Sequence, residues 1–384
     1  MRFNSRLLPR TTMTLPFFPP DLFDGEQETL LDIVESIGLA PEQKFILGTH
    51  TTRFEEMIRD SVGAADAIAC GSGTAALSLV LRAMDVGPGD EVVVPAFGCA
   101  PLAAAPAMLG AVPVFADVDP WTMVADPAEI ARLISPRTKV IMPAHMFSVM
   151  ADMPAIRSIA DSAGVRLLED SAVAQGGMLG GTPAGMWGDA GVYSFVQVKT
   201  FGMPGEGGMV VTADPEIGTA VRMLRNHGQD GRTRFVHHRI GYNSRFDEIM
   251  AAFQLHRFAT LPQRLERRAC IGEYYTERFG ELAGCGVLAP PPASDGRCYY
   301  VYSLLAERRD ALRDHLAAQG IGSHIYYPAA LPRQPAFAPY APGGAWPAAE
   351  LAARRTLAIP IYPHLTDAQV EHIADAVCRF AKES

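Results

Sequence analysis

The chain has 384 residues, of which 48% are hydrophobic and 20% are charged, so it is long enough for a large domain and a smaller second one. Its formal net charge of −9 leaves no basic face for nucleic-acid phosphates, and we expect no nucleic-acid partner. The 6 cysteines are scattered without a CxxC pair, which argues against a disulfide scaffold and the usual zinc sites. We therefore expect a cytoplasmic protein without a metal ion.

An uncharged stretch covers residues 92–116 and is long enough to suggest a membrane span. It contains the prolines Pro95, Pro101, Pro106 and Pro113, which a single spanning helix does not tolerate without compensation. The stretch therefore predicts a strand, a helix and a strand in a soluble core, with no contact to a membrane. Before Pro16 the sequence has arginines but no continuous apolar run, so no signal peptide is expected.

Helix-like and strand-like segments alternate along the first 250 residues. Helical patterns cover Glu26–Ile37, Arg53–Val62, Ala75–Met84, Pro127–Ile134, Met153–Ala163 and Glu216–Leu224. Short apolar runs predict strands at Ala67–Cys70, Glu91–Pro95, Val112–Ala116, Thr138–Met142, Val165–Leu168, Gly191–Phe195 and Gly208–Thr212. Buried strands that alternate with helices indicate a parallel sheet with helices on both faces.

A second set of segments follows one long helical pattern, Glu248–Phe279. It comprises Tyr299–Leu305, Arg308–Gln319, His324–Tyr326 and a terminal helix, Asp367–Lys382. We therefore predict a large domain at residues 1–250, which includes the N-terminal segment, and a small C-terminal α/β domain at residues 251–384.

Lys199 lies in a Gly-rich loop between two predicted strands, Gly191–Phe195 and Gly208–Thr212. At the mouth of a sheet its amine can lose water, which favours the neutral, nucleophilic form. Taken alone, a lysine in a turn at the surface is the more common case.

Asp170 closes a predicted strand, and the carboxyl ends of parallel strands are where open α/β sheets bind ligands. Taken alone, Asp170 is explained equally well as the N-cap of a helix that follows the strand. The turn Gly71–Thr74 joins a strand to a helix, where backbone N–H groups and the helix dipole favour a phosphate. A simple capped turn explains it equally well.

A lysine amine, a strand-end carboxylate and a phosphate cradle are together the partners that pyridoxal 5'-phosphate requires. At this point the sequence resembles the DegT/DnrJ/StrS aminotransferases, a fold-type-I group that mostly aminates keto sugars attached to nucleotides. The resemblance runs from about Phe54 to the C-terminus. Its blocks are Ser72–Leu77, Gly89–Val92, Leu109–Phe115, Glu169–Asp170, Ser194–Phe195 with Lys199, Gly205–Gly208, Arg225–Gly228, Gly241–Asn243 with Arg245, and Gly320–Ile321 before Tyr327–Pro328.

The resemblance implies a fold and roles for individual residues. The fold is a large domain with a mainly parallel seven-stranded sheet flanked by helices, plus a smaller C-terminal α/β domain. Lys199 would form the internal aldimine and move the proton at the substrate carbon, and Asp170 would keep the pyridine nitrogen protonated. The residues expected around the cofactor are Gly73, Thr74, Ala75, Cys99, Val173, Ser194 and Asn243. Asn243 would reach the phosphate in the neighbouring subunit, which implies a homodimer with shared active sites.

Arg245 and Tyr327 are the candidates for substrate contact, although a structural ion pair is an equally good explanation of Arg245. At three positions the sequence differs from the family pattern, and these positions are expected to face the pyridine ring and the substrate. Cys99 aligns where an aromatic residue usually stacks on the pyridine ring, with Phe97 nearby. Val173 replaces a polar residue, with Gln175 two positions on, and Pro332 falls where a histidine is usual.

The predicted function is transfer of an amino group from Glu or Gln to a keto sugar, with a nucleotide-linked sugar favoured. A non-nucleotide keto-cyclitol or free keto sugar is the main alternative, because the departures face the ring and substrate. A sugar dehydratase of the same family carries His where Lys199 stands, and a non-catalytic binding protein does not need Lys199 or Asp170. Structural roles are predicted for His145, for Glu206 in its loop, and for Tyr326 and Trp346.

Overall fold

The computed structural model describes residues 15–21, 25–293 and 296–383. Residues 1–14, where no signal peptide was expected, lie outside the described residues and belong to the predicted large domain only by sequence. No helix within the described ranges has the length and apolar character needed to cross a bilayer.

Seven of the first nine strands build the sheet that carries the candidate site. In chain order the nine are β1 (Asp66–Cys70), β2 (Glu91–Pro95), β3 (Val112–Ala116), β4 (Thr138–Ile141), β5 (Arg166–Asp170), β6 (Met178–Leu179), β7 (Thr182–Pro183), β8 (Ala190–Ser194) and β9 (Gly208–Thr212). β6 and β7 form a short antiparallel hairpin. The other strands form a seven-stranded sheet in the order β1-β9-β8-β5-β4-β2-β3, in which β9 alone runs against its neighbours. The predicted, mainly parallel seven-stranded sheet is confirmed.

Helices connect these strands. They are α1 (Gln27–Leu39), α2 (Thr49–Val62), α3 (Gly73–Ala83), α4 (Pro101–Met108), α5 (Pro127–Leu133), α6 (Met153–Ala163) and α7 (Pro215–Arg225). Local chemistry sets their ends. The side chains of Asp126, Asp152 and Asp214 accept N–H groups of the first turns of α5, α6 and α7. Gly63 and Gly164 end α2 and α6 with φ of 71° and 66°, a conformation that glycine adopts without strain.

The C-terminal part begins with helices and continues as a small antiparallel sheet. Its elements are α8 (Glu248–Phe258), α9 (Leu261–Phe279), β10 (Val287–Leu288), β11 (Tyr302–Ala306), α10 (Arg309–Ala318), α11 (Pro347–Arg355), β12 (Thr356–Ile359) and α12 (Asp367–Lys382). The strand order is β10-β11-β12. The apolar side chains of α9, β11 and α12 share one core, whereas Phe253 of α8 packs with Phe54 and Phe195.

Two predictions for this part were wrong in detail. The predicted single helix Glu248–Phe279 is two helices in the structure. Pro262 lies in the first turn of α9 and has no N–H, so it cannot continue the backbone hydrogen bonds of α8. The expected strand His324–Tyr326 makes only one bridge, between His324 and Ala358. The division of the chain after residue 250 stays a prediction.

Candidate active site

Three strand ends meet at one edge of the large sheet. Asp170 is the last residue of β5 and Ser194 the last residue of β8, and these two strands are parallel neighbours. Gly208 at the start of β9 pairs with Ser194 on one side and with Cys70, the end of β1, on the other. The turn after β1 therefore lies at the same edge as the carboxyl ends of β5 and β8, where open α/β sheets bind ligands.

Lys199 occupies the loop between β8 and β9, in a turn closed by backbone hydrogen bonds to Val196 and from Gly202 of 2.9 and 3.1 Å. Its amine lies 4.4 Å from the centroid of the Tyr300 ring and makes no recorded hydrogen bond to the described residues. Burial lowers the pKa of the amine, and the nearby Asp170 carboxylate partly offsets this effect. A buried amine with a lowered pKa is an available nucleophile.

Asp170 is buried, and this burial raises the pKa of its carboxyl above the ordinary value. The backbone N–H of Ala172 donates to its Oδ1 at 3.1 Å, and this bond and the charge of Lys199 act to lower the pKa. A buried carboxylate is stabilised by a cation placed against it, such as a protonated ring nitrogen. The carboxyl is therefore suited to hold a proton on a heterocycle.

Glu169 and His145 form a buried pair next to Asp170, with 2.7 Å between Oε1 and Nε2. Nδ1 of His145 accepts the backbone N–H of Ala151 at 3.2 Å, so Nε2 carries the ring proton and donates it to Glu169. Burial alone would raise the pKa of Glu169, but bonds from His145 and from backbone N–H groups lower it overall. These contacts agree with the structural role predicted for His145.

We expect Glu169→Ala to destabilise the cofactor-free protein by about 3–5 kcal/mol, because removal of one partner leaves buried groups unpaired. The orphaned groups are the imidazole of His145, the hydroxyl of Ser171 and the N–H groups of Gly185, Trp187 and Gly188. The free energy of unfolding in denaturant measures this effect. Glu206→Ala, which removes an exposed carboxylate, serves as the control and should change stability by less than about 0.5 kcal/mol. A loss below about 1 kcal/mol in Glu169→Ala would contradict a structural pair.

The turn before α3 forms a small anion cradle. The Ser72 side chain accepts the Ala75 N–H at 3.1 Å, which leaves the N–H groups of Gly73 and Thr74 in the first turn without intrahelical partners. A Cβ atom at Gly73 would lie 2.9 Å from Cβ of Ser194, so a side chain there would fill the cradle. The helix N-terminus favours a phosphate at this point, and Ala75 joins only if its N–H leaves Ser72.

These observations fit pyridoxal phosphate. The Gly73 cradle suits its phosphate, the buried Asp170 suits its ring nitrogen, and the Lys199 amine suits its aldehyde. Among the described residues no group of three or more His, Cys, Asp or Glu side chains is placed to hold a metal ion.

Tyr327, Phe147 and Phe97 form an aromatic wall close to Asp170. Tyr327 stacks on Phe147 with 6.0 Å between centroids and meets Phe97 edge-on at 5.6 Å. Cys99 lies beside it, and its electrostatic coupling to both Asp170 and Lys199 places the thiol at the site. Burial raises the pKa of Cys99 to about 12, so the side chain stays a neutral thiol. That the Cys99 thiol takes the place of the family's usual aromatic ring stays a prediction.

The other two departures make main-chain or packing contacts. The carbonyl of Val173 accepts hydrogen bonds from the Ser148 hydroxyl and the Cys298 thiol. Pro332 is buried in a short turn. Trp346 donates Nε1 to the Phe115 carbonyl at 2.8 Å and is buried, which agrees with its predicted packing role.

Asn243 and Arg245 are not joined to Lys199 by any recorded contact within the described chain. Nε of Arg245 donates to Oδ1 of Asn243 at 3.0 Å, and no ion pair of Arg245 is recorded with a described carboxylate. Asn243 is exposed, while the neighbouring Ser244 accepts the N–H of Gly71. Within one chain, Asn243 therefore lies next to a residue that contacts the turn before α3.

Sequence reasoning missed Ser148, Cys298 and Tyr300. Tyr300 covers the Lys199 amine, but it lies in the run Cys298–Tyr302, whose aromatic character is typical of a packed strand. Ser148 lies in a short turn without a motif. No signal in the sequence distinguishes these residues from ordinary core positions.

A half-buried lysine with a lowered pKa, a strand-end carboxylate and an anion cradle at the edge of this sheet define a pyridoxal-phosphate-dependent aminotransferase. Residues 27–378 match the DegT/DnrJ/EryC1/StrS aminotransferase family. The chain belongs to this family, as the sequence motifs predicted.

Individual relatives cover most of the chain. One is the UDP-N-acetyl-3-dehydro-alpha-D-glucosamine 3-aminotransferase of Acidithiobacillus ferrooxidans, 39% identical over 91% of this chain and 93% of its own length. Another is a pleiotropic regulatory protein of Geobacillus stearothermophilus, 38% identical over 88% of this chain and 91% of its own. The crystal structure of S. venezuelae DesV in complex with a ketimine intermediate is similar with a TM-score of 0.89 and 35% identity, covering 96% of this chain and 99% of that one.

Proposed function

We propose that this aminotransferase moves an amino group from Glu or Gln to the ketone of a nucleotide-linked keto sugar, as a cytoplasmic homodimer. The observation that carries the proposal is the buried Lys199 amine beside the buried Asp170 carboxyl at the sheet edge. The name of the Acidithiobacillus relative, a 3-aminotransferase for a UDP-linked keto sugar, supports this class of acceptor.

The position of each residue indicates its role in the reaction. Lys199 would carry the cofactor and, once released, move a proton to and from the substrate carbon. Asp170 would hold the proton on the pyridine nitrogen, while Gly73, Thr74 and Ser194 would bind the phosphate. Bound in this way, pyridoxal phosphate would supply an electron sink for the bond broken at that carbon. The buried surroundings of Lys199 would keep water from the amine.

Residues at the edge of the site are assigned to the substrates and to the partner subunit. Tyr327 borders the ring side and Arg245 carries a guanidinium without a recorded carboxylate partner in the described chain, so both are candidates for acceptor or donor contact. Asn243 would reach the phosphate bound in the other subunit. We infer that each site is completed only in the dimer.

A non-nucleotide keto-cyclitol or free keto sugar is the second candidate for the acceptor. It is favoured by the small, neutral Cys99 thiol and by Val173, which contributes a carbonyl rather than a polar side chain to its contacts. These two positions differ from the family pattern on the ring side of the site. Lys199 weighs against a dehydratase, and together with Asp170 it weighs against a purely regulatory binding protein.

The function is tested by giving the cofactor-loaded protein Glu or Gln and following the visible band of the cofactor. Donor-dependent loss of the band should be followed by its return when a suitable keto acceptor is added. Mass spectrometry of matched nucleotide-linked and free keto sugars and keto-cyclitols then identifies the aminated product. A band that does not respond to any amino donor would overturn the proposal.

We expect borohydride reduction of the loaded protein to place the cofactor on Lys199. The reason is the depressed basicity of this buried amine, which leaves it neutral more readily than an exposed lysine. Peptide mapping should find the phosphopyridoxyl mass on the Lys199 peptide alone, with the partly exposed Lys139 as an internal control. An adduct on another lysine, or none in saturated protein, would contradict the assignment.

A further inference from the structure

Strained backbone gathers around the aromatic wall. Phe147 and Ser148 are consecutive non-glycine residues with φ of 51° and 65°, and Tyr299 and Tyr327 have φ of 44° and 54°. Non-glycine residues in this left-handed region cost about 1–3 kcal/mol each and persist only where the surroundings hold them. The turn at Met146–Ser148 is therefore held in place by its contacts and not by its own preference.

The hydroxyl of Ser148 makes two hydrogen bonds that join distant parts of the chain. It accepts the backbone N–H of Tyr300 at 2.8 Å and donates to the carbonyl of Val173 at 2.9 Å. Ser148 is only 2% exposed, so water does not replace these bonds readily. The hydroxyl thus ties the segment that leads into β11 to the loop that follows Asp170 and β5.

Two further bonds support the same junction. The thiol of Cys298 donates to the Val173 carbonyl at 3.2 Å, and Nη2 of Arg297 donates to the Phe147 carbonyl at 3.3 Å. Both donors belong to the segment just before Tyr300, and both acceptors belong to loops of the large sheet. The junction therefore has several anchors. Of the three side chains named here, Ser148 bonds Tyr300 itself, at the backbone N–H, while the Tyr300 carbonyl accepts a separate bond from Arg268 of α9 at 3.2 Å.

Tyr300 is the residue that this junction positions. Its ring is 6% exposed and lies over the Lys199 amine, 4.4 Å from Nζ to the ring centroid. Its hydroxyl lies 3.3 Å from the hydroxyl of Tyr326, on the side of the aromatic wall. The face of the ring contacts the amine, while the hydroxyl is occupied elsewhere.

We propose that Ser148 is a positioning residue, whose hydroxyl holds the Tyr300 ring as a cover over the Lys199 amine. The proposal rests on the proposed function only in that Lys199 is taken as the reactive lysine. The covering itself is a property of the cofactor-free chain.

The cover has a measurable consequence for Lys199. Burial is the largest influence on its pKa and lowers it, so a cover that loosens and admits water raises the pKa towards the ordinary value. The groups that face the amine are Asp170, Glu206, Cys99, Cys298 and Tyr300. Loss of the cation–π contact alone would shift the pKa the other way, by a smaller amount.

The experiment measures acetylation of Lys199 in the cofactor-free protein as a function of pH, by peptide mass spectrometry. The midpoint of the curve reports the protonation of the amine and is separate from its accessibility. In Ser148→Ala and in Tyr300→Ala we expect the midpoint to rise by about 0.5–1 pH unit, because desolvation is relieved. Since glycine adopts positive φ without strain, Ser148→Gly provides the same test if Ser148→Ala does not fold.

Two variants serve as controls. Tyr300→Phe keeps the ring over the amine and should leave the midpoint unchanged. Ser303→Ala removes another buried serine hydroxyl, from β11, which has no hydrogen-bond partner among the described residues, and should also leave the midpoint unchanged. An unchanged midpoint in the folded Ser148 variants, or an equal rise in Ser303→Ala, would overturn the proposal. Because no cofactor is present, this result is independent of the borohydride test.

Discussion

Asp170→Asn should bind pyridoxal phosphate and lose most of its turnover. The amide is close in size to the carboxylate but carries no charge to hold the proton on the pyridine nitrogen. Since an adjacent opposite charge moves a pKa by about 1–3 units, we expect a loss of roughly 10- to 1000-fold in kcat. Steady-state kinetics and cofactor titration of the same preparation separate turnover from binding.

A matched control is available at the end of another strand of the same sheet. Asp117 follows β3, and its carboxylate accepts the N–H groups of Ala348 and Ala349. The two bonds go to different carboxylate oxygens, so the amide keeps one of them and loses the other. Because the change leaves Asp170 in place, folded Asp117→Asn should keep its activity within about twofold. Near-normal turnover in a folded, loaded Asp170→Asn protein would show that Asp170 does not hold the ring proton.

Coexpression of Lys199→Ala with Asn243→Ala should restore activity that neither variant has alone, provided that Asn243→Ala is itself impaired. If Asn243 serves the partner's phosphate, a mixed dimer has one site with both defects and one site with neither. Random pairing then leaves about a quarter of all sites intact, whereas each parent homodimer has a defect in every site. Activity of verified mixed dimers, purified through two different tags, measures this recovery.

The control pairs Lys199→Ala with Asp170→Asn, two changes that affect the same subunit's site. Mixed dimers of this pair contain one defect in each site and should show no recovery. The contact of Ser244 with Gly71 in its own chain gives the competing arrangement, in which Asn243 serves its own subunit. In that arrangement the Lys199→Ala and Asn243→Ala pair also fails to recover, and the shared-site proposal is wrong.

The sequence by itself determined most of the large sheet and the chemistry at its edge. The strands β2, β3 and β9 begin and end as predicted, because each is a short apolar run between turn residues. Asp170 at a strand end and Lys199 in a Gly-rich loop were singled out because, with the turn Gly71–Thr74, they match the partners that pyridoxal phosphate requires. Local pattern and residue chemistry were sufficient for these features.

Only the tertiary structure decided what surrounds the amine. Tyr300 reaches Lys199 from the segment before β11, and its place depends on the Ser148 hydroxyl in a loop of the large sheet. These residues are far apart in the chain, and each alone is consistent with an ordinary core position. The positive φ of Phe147 and Ser148 opposes local preference and is maintained by long-range hydrogen bonds. Periodicity and motif report local preference, so contacts that override it become visible only in the folded chain.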